Sequence, residues 1–183
     1  KIIQIGTTYT YLSESIPYRQ HIVCLGETNP VEGAVVEWYY EEKEVIEAWK
    51  NEIIKKDCDI ITGYNIFYFD EKYIYERATE HLYNENAGDK ISINFISKLK
   101  DYECPFKNLT LASSALGENK LSFWATPGRV HIDLMKDVQK TYKLSSYKLD
   151  SVSSNFIRGQ INSIKKLKKN KYELKCSTID DIF

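Results

Sequence analysis

The feature that most constrains the fold of this chain is a change in hydrophobic periodicity close to residue 41. Before that point lie three segments rich in Ile, Val, Thr and Tyr, which favour strands: Ile2–Leu12, His21–Leu25 and Ala34–Tyr40. After it, apolar residues recur at helical spacing over Glu42–Lys56, with glutamates at the start and lysines at the end, as the helix dipole favours. This order predicts an α/β class, and the three successive strands predict an antiparallel meander.

The remainder of the chain alternates short apolar segments with helical ones. The predicted elements are a strand over Ile60–Tyr64, a helix over Asp70–Leu82, a strand over Arg129–Asp133, a helix over Leu134–Tyr142 and a helix face marked by Leu149, Val152 and Phe156. Residues 84–89 are predicted to form a polar loop and residues 90–128 to be irregular, and residues 164–175 form a basic, exposed tail. All 183 residues are assigned to one domain.

Composition limits the kinds of partner and site. The formal net charge of −1 gives no domain-wide attraction to nucleic acid, so any DNA binding has to come from local features. The four cysteines and three histidines are scattered, with no CxxC pair, which argues against a zinc site and favours a reducing, intracellular compartment. No apolar run reaches the length of a membrane span, so no membrane partner is expected.

The strongest local signal for chemistry is the segment 59–70, DIITGYNIFYFD. A short apolar strand ends at Gly63, a polar turn follows, and Asp70 opens the next helix. α/β sheets keep their sites at the carboxyl ends of strands, where a carboxylate is a suitable ligand for Mg²⁺. Asp is also a favoured helix cap, and Glu71 adds negative charge to the first helical turn. The local pattern alone favours the cap over the metal ligand.

Four blocks of the sequence carry a resemblance to a known family. They are residues 2–6 (IIQIG), 63–70 (GYNIFYFD), 128–134 (GRVHIDL) and 142–153 (YKLSSYKLDSVS). The second block matches an Asn-x3-Phe-Asp pattern, the second exonuclease motif of the family B DNA polymerases, and the others resemble neighbouring segments in the family's order. The chain therefore resembles the 3′–5′ proofreading exonuclease domain of this family, and the delta-type catalytic subunit fits best.

The resemblance implies a ribonuclease-H-like mixed sheet flanked by helices, and a truncated one. The first central strand, which carries an Asp-x-Glu pair in this family, and the last catalytic helix, which carries a Tyr-x3-Asp motif, are both missing from the 183 residues. The chain opens at Lys1 and closes at Phe183 as though cut, so a fragment is expected. The strands predicted at Ile2–Leu12 and Ile60–Tyr64 would then each lose a neighbour. The piece alone is therefore expected to be marginally folded, and it is also expected to be inactive.

The implied chemistry is hydrolysis of a mispaired 3′-terminal nucleotide with two Mg²⁺ or Mn²⁺ ions held by four carboxylates. Only Asp70 matches one of these carboxylates, so it is the predicted catalytic residue and metal ligand. Asp101 and Glu103 also have Asp-x-Glu spacing, but they follow Asp70 and are interpreted as a chance match. The same motif implies contacts with the DNA end from Asn65, Phe69 and Tyr64, although the two aromatic residues could instead belong to the core.

Three further residues are assigned structural roles: Gly63, Arg129 and Asp133. Asp133 is expected to cap the helix that starts at Leu134 or to hold a neighbouring loop, and Arg129 to pair with Asp133 or with phosphate. A basic run follows later in the chain, formed by Lys165, Lys166, Lys168, Lys169 and Lys171. A solvated surface explains such a run, and a DNA-backbone contact is the alternative.

The resemblance also implies the setting of the whole protein: a DNA-directed DNA polymerase acting in DNA replication, in the nucleus or in a viral replication compartment. Its implied partners are a single-stranded DNA 3′ end, the remainder of the polymerase chain, accessory subunits and a sliding clamp. Two alternatives stay open. One is a free-standing 3′–5′ exonuclease, and the other is a non-catalytic relic of the same fold that binds DNA or a partner.

Overall fold

Three small sheets and the helices packed against them form the part of the chain that the structure, a computed structural model, describes: residues 1–82, 92–113 and 117–158. The strands are β1 (Gln4–Tyr9), β2 (Arg19–Leu25), β3 (Val35–Tyr39), β4 (Ile60–Gly63), β5 (Phe106–Ser113), β6 (Gly117–Trp124) and β7 (Val130–Asp133). The α-helices are α1 (Glu42–Lys56), α2 (Asp70–Leu82), α3 (Leu134–Thr141) and α4 (Leu149–Ser153). A 3-10 turn covers Ser92–Asn94 and a π-helical turn covers Ser154–Arg158.

The first sheet has the order β1-β2-β3 and mixes both strand directions. β1 and β2 are antiparallel, with Gln4 opposite Cys24, whereas β2 and β3 are parallel, with His21 opposite Val35. The predicted antiparallel meander is therefore wrong at its second step. Residues 26–34 are long enough, when extended, to run back along β2 and start β3 in the same direction. Alternating apolar residues indicate a strand but do not specify the direction of its partner.

The second sheet is a parallel pair, β4 and β7, whose register sets Ile60 opposite Val130 and Gly63 opposite Asp133. Both strands therefore end at the same edge, one leading into the turn before α2 and the other directly into α3. This edge positions the residues of the candidate site.

The third sheet is the β5–β6 hairpin, which pairs Phe106 with Trp124. It lies inside residues 90–128, so the prediction that this stretch is irregular is wrong. Leu109 and Leu111 of β5 are exposed whereas Ser122 of β6 is buried, so apolar residues do not mark one buried face of the hairpin in the sequence. Its base is nevertheless anchored, because Trp124 is fully buried and donates from Nε1 to Asn94 Oδ1 at 3.1 Å.

One apolar core joins the first sheet, α1, α2 and the base of the hairpin. α1 contributes the apolar residues whose spacing predicted the helix, and β2, α2 and β6 supply the surface against which they pack. The main members are Val23, Val45, Ile46, Trp49, Ile53, Ile74, Ala78 and Trp124. The position of α2, and with it of Asp70, is therefore fixed by burial of its apolar face.

A buried carboxylate reinforces the contact between α1 and α2. Glu42, 5% exposed, accepts two hydrogen bonds of 2.8 Å from the Arg77 guanidinium and one of 2.6 Å from the Ile2 amide. His81 Nε2 lies 2.9 Å from the same carboxylate. Hydrogen bonds from Arg77 are the main cause that lowers the pKa of Glu42 to about 2, so the carboxylate stays charged at neutral pH.

Helices in the described ranges are all too short or too polar to cross a membrane. The predicted polar loop at 84–89 and the predicted basic tail at 164–175, with its lysine run, lie outside the described residues.

Candidate active site

The turn between β4 and α2 is tight, and its shape depends on two residues. A Cβ atom at Gly63 would stand 2.5 Å from Ile66 Cγ2, so a larger residue there would displace the Ile66 side chain or the turn that carries it. Asn65 has a φ of 64°, in the left-handed region that Asn tolerates better than most residues. The Asn65 carbonyl then accepts from the amides of Tyr68 and Phe69, which bends the chain into the start of α2.

Asp133 holds this turn from the neighbouring strand. It is 3% exposed, and its Oδ1 accepts from the Asn65 amide at 2.8 Å and from the Met135 amide at 2.9 Å. Its Oδ2 accepts from the Phe67 amide at 3.3 Å. Asp133 is thus the N-cap of α3 and at the same time the acceptor for the β4–α2 turn. These amides occupy both of its oxygens, which leaves Asp133 poorly suited to bind a metal ion.

Asp70 lies on the other side of the turn and is held very differently. It is the first residue of α2, and the position before it is taken by Phe69, whose carbonyl accepts from the Tyr73 amide at 2.8 Å. Its side chain is exposed, and within residues 1–82, 92–113 and 117–158 it pairs with no cationic side chain. Partial desolvation by the surrounding protein raises the pKa of Asp70, and the negative charges of Asp133 and Glu71 add to that effect.

The arrangement gives one carboxylate that can accept a cation at the carboxyl edge of the β4–β7 pair. A cation beside Asp70 would offset the desolvation and the repulsion that raise its pKa, and hard oxygen ligands suit Mg²⁺ and Mn²⁺. Asp70 therefore fits the role of a metal ligand, but as one ligand only. In the described ranges, no three side chains of His, Cys, Asp or Glu lie close enough together to hold an ion. Asp101 and Glu103 accordingly form no metal cluster there.

The three residues predicted to contact DNA differ in accessibility. Phe69 is 63% exposed and stacks on Tyr73 with 6.1 Å between ring centroids, so it is not a core aromatic. The Tyr64 hydroxyl donates to the Tyr147 carbonyl at 2.5 Å, which ties the turn to the segment before α4. The Asn65 side-chain oxygen is buried and has no hydrogen-bond partner among the described residues.

Arg129 lies away from this edge, at the start of β7. Its Nε donates to the Ile96 carbonyl at 2.8 Å, and its guanidinium also contacts the Cys58 carbonyl and, at 3.3 Å, the Asp57 carboxylate. The expected pairing with Asp133 is wrong, because Arg129 is buried and turned toward the end of α1. The alternative pairing with phosphate stays a prediction. Its contacts join α1, the segment before β5 and β7.

Sequence inspection missed the role of Glu71. It was assigned only a favourable charge in the first helical turn, yet it is buried, at 4% exposed. Its carboxylate accepts from the Trp124 amide at 3.0 Å and lies 2.7 Å from His131 Nδ1. The one available signal was His131, a potential partner between the apolar residues Val130 and Ile132, but spacing alone does not pair residues that are 60 positions apart.

Comparisons with known proteins show which family the chain is similar to. The family described as DNA polymerase family B, exonuclease domain, matches residues 1–152. A DNA polymerase of Pyramimonas orientalis virus is 43% identical over 163 residues, which is 88% of this chain and 13% of the relative. The DNA polymerase delta catalytic subunit of Glycine max is 35% identical over 159 residues, 87% of this chain and 14% of the relative.

A DNA polymerase of Paramecium bursaria Chlorella virus NY2A is 30% identical over 162 residues, which cover 88% of this chain and 18% of that protein. The chain thus spans less than a fifth of the length of these curated relatives. The resemblance found in the four sequence blocks is confirmed by a match that runs from the first residue to α4. This chain belongs to the family B DNA polymerases, and residues 1–152 correspond to their exonuclease domain.

Proposed function

We propose that this chain is part of a 3′–5′ proofreading exonuclease domain in a DNA-directed DNA polymerase that acts in DNA replication. The observation that carries the proposal is the state of Asp70: an exposed carboxylate, without a cationic partner in the described residues, at the carboxyl edge of the parallel β4–β7 pair. It lies in the segment that matches the second exonuclease motif, inside the region matched by the family.

Each residue of the turn has a proposed task in that reaction. Asp70 holds one of two Mg²⁺ or Mn²⁺ ions, which supply a hydroxide nucleophile and stabilise the leaving oxygen when bound. Phe69 offers an exposed ring on which a terminal base can stack, as aromatic residues do with single-stranded nucleic acid. Asn65 and Tyr64 contact the DNA end or support the turn, while Gly63, Asp133 and Arg129 keep the surrounding backbone in place.

The proposal requires that further parts of the parent protein complete the site. β1 and β4 are both edge strands of their sheets within the described residues. We propose that a strand with an Asp-x-Glu pair lies between them in a ribonuclease-H-like mixed sheet, and that a helix with a Tyr-x3-Asp motif supplies the last carboxylate. The gene should then encode the pair about 20 to 30 residues before Lys1 and the second motif after Phe183. Absence of both motifs would contradict this part of the proposal.

The same reasoning makes residues 1–183 a partial domain that is inactive by itself. One carboxylate from the second motif does not assemble a two-ion site, and unpaired strand edges weaken a sheet. We expect the isolated chain to release no mononucleotides from single-stranded DNA and to show no sharp thermal unfolding transition. Release that disappears in Asp70→Ala, or a cooperative transition, would contradict this expectation.

Activity and partners of the whole protein follow from the family. We propose polymerisation by a delta-type catalytic chain, in the nucleus or in a viral replication compartment, with the remainder of the chain, accessory subunits and a sliding clamp as partners. The test uses the full-length parent with a mismatched primer end. Asp70→Ala should abolish excision and spare primer extension, whereas equal loss of both activities would contradict the assignment.

The alternative of a non-catalytic relic makes the opposite prediction in that experiment. A relic would show no excision in the unmodified parent, and Asp70→Ala would change nothing. The exposed state of Asp70 favours the catalytic alternative, because a helix cap accepts from amides further along the chain, as Asp133 does from Met135, whereas the Asp70 carboxylate is hydrogen-bonded to its own amide.

A further inference from the structure

The acidic residue next to Asp70 is buried, although side chains in a first helical turn usually face water. Glu71 is 4% exposed, and its two oxygens have different partners. Oε2 accepts from the Trp124 amide at 3.0 Å, and Oε1 lies 2.7 Å from His131 Nδ1. Burial of a carboxylate is unfavourable unless its oxygens have polar partners, and these two contacts give each oxygen of Glu71 one.

The two contacts connect separate elements of the fold. Trp124 is the last residue of β6, and His131 lies in β7 opposite Ile61 of β4. The carboxylate of Glu71 therefore joins the first turn of α2 to the base of the hairpin and to the parallel strand pair. The side chains of both Glu71 and His131 are 6% exposed, so water competes little with this pairing.

Asp70 lies between two held segments, the turn that Asp133 holds and the helical turn that Glu71 holds. Asp133 holds the turn before α2 through the amides of Asn65 and Phe67, and Glu71 holds the first turn of the helix itself. The Asp70 carboxylate pairs with no cationic side chain within the described ranges, so the direction of its Cα–Cβ bond depends on the backbone of that helical turn.

We propose that Glu71 and His131 form a positioning pair, which fixes the first turn of α2 and thereby holds Asp70 where the exonuclease site needs its carboxylate. The inference rests on the proposed function and deepens it. Neither residue touches DNA or a metal ion, and the pair acts through the backbone of Asp70. Such support matters because Mg²⁺ tolerates little departure from octahedral geometry, and residues behind metal ligands typically change metal affinity when altered.

The first test needs no activity and uses the full-length, metal-free parent. Hydrogen exchange is followed at the amides of Glu71 and Tyr73, which donate to the carbonyls of Ile66 and Phe69. We expect exchange to become about tenfold faster in Glu71→Leu, which loses both contacts, and to change little in Glu71→Gln, which keeps an acceptor for the Trp124 amide. The matched control is Glu76→Leu, a surface residue of α2 that is paired with Lys72 at 3.8 Å.

The second test separates positioning from simple stabilisation. We expect Glu71→Leu and His131→Ala to raise the Mn²⁺ concentration for half-maximal excision about tenfold, with primer extension unchanged. His131→Asn should largely restore the wild-type Mn²⁺ requirement, because the Asn amide nitrogen takes a place similar to Nδ1 and can donate to Glu71. If Glu71→Leu does not fold, the two His131 variants carry the same test.

The outcomes distinguish this inference from the proposed function. Unchanged exchange in Glu71→Leu and His131→Ala would overturn the pair as a support for the helix. Faster exchange with an unchanged Mn²⁺ requirement would overturn its role in positioning Asp70. Failure of the proposed function looks different, since the unmodified parent would then show no excision, or Asp70→Ala would leave excision intact. Faster exchange, a higher Mn²⁺ requirement and rescue by His131→Asn are the results expected.

Discussion

Asp70 and Asp133 lie at the junctions where two neighbouring parallel strands lead into helices, yet the fold treats them in opposite ways. Asp133 is 3% exposed and accepts three backbone hydrogen bonds, two of them from the turn that precedes Asp70. Asp70 is exposed, and its surroundings raise its pKa. One carboxylate is fully used in holding the backbone, and the other remains free to take a cation.

A strand–Asp–helix pattern in a sequence therefore does not identify the role of its Asp. Asp133 is the N-cap of α3, as expected for it, whereas Asp70, for which the local pattern also favoured a cap, is the first residue of α2 and follows Phe69. Asp70 and Asp133 have different roles because their tertiary contacts differ. The amides of the β4–α2 turn point at the end of β7, and Gly63 and Asn65 give that turn its shape. The junctions are therefore coupled, since the cap of one is also the support of the other.

The largest expected effect is on the excision rate, and it tests whether Asp70 and Asp133 have different roles. Asp70→Asn in the full-length parent keeps the size of the side chain and removes its charge, so we expect the excision rate to fall by about 100-fold or more. Hydrogen exchange in the β4–α2 turn should stay as in the wild type. A similar fall that came with faster exchange throughout the turn would mean that Asp70, like Asp133, is chiefly structural.

The second effect is on local stability. Asp133→Ala removes the acceptor for three amides and the cap of α3, so we expect the free energy of local opening to fall by about 2 to 4 kcal/mol. Hydrogen exchange of the Asn65, Phe67 and Met135 amides measures it directly. Asp133→Asn keeps one acceptor oxygen and should lose less. Protection that survives Asp133→Ala would break the contrast between the two residues.

A smaller loss is expected from Gly63→Ala. Because the added Cβ would lie 2.5 Å from Ile66 Cγ2, the Ile66 side chain or the turn has to shift, at a cost of about 1 to 3 kcal/mol in local opening. Gly6→Ala in β1 is the matched control, because nothing lies within 4 Å of a Cβ atom there. Equal effects of the two substitutions would show that the close approach at Gly63 does not determine the turn.

The smallest effect concerns the stability of the metal-free protein. Since desolvation and the carboxylates of Asp133 and Glu71 raise the pKa of Asp70 above its usual 3.8, folding favours the protonated form. Its contribution to stability therefore falls as the pH rises from about that value through the raised pKa. Asp70→Asn should remove this part of the pH dependence and leave the protein slightly more stable at neutral pH. A loss of stability in Asp70→Asn would show that the charge is used structurally.

The helices were predictable because their signals are local. The apolar spacing and terminal charges of α1 and α2 gave bounds that the structure reproduces at Glu42–Lys56 and Asp70–Leu82. α3 begins at Leu134 as expected and ends at Thr141, one residue before the predicted end. Strand pairing was harder to predict, because the spacing of apolar residues specifies neither the parallel contact of β2 with β3 nor the β5–β6 hairpin.

The candidate site likewise has a part that could be predicted from the sequence and a part that could not. The segment around Asp70 could be found from its strand, Gly and Asp in order, together with its family resemblance. The burial of Glu71 could not, because an acidic residue in a first helical turn usually faces solvent, and its partners lie 53 and 60 positions away. The buried contacts of Arg129 with carbonyl groups depend likewise on the packing of distant segments.

Asp70, and not Asp133, is proposed to hold a metal ion. The most direct measurement is the anomalous signal of Mn²⁺ in crystals of the full-length parent bound to a single-stranded DNA 3′ end. We expect an ion at about 2.1 Å from an Asp70 carboxylate oxygen, the distance usual for small hard cations, with Asp133 still bound to its amides. An ion held by Asp133, or an exonuclease site whose ions have no contact with Asp70, would contradict the account.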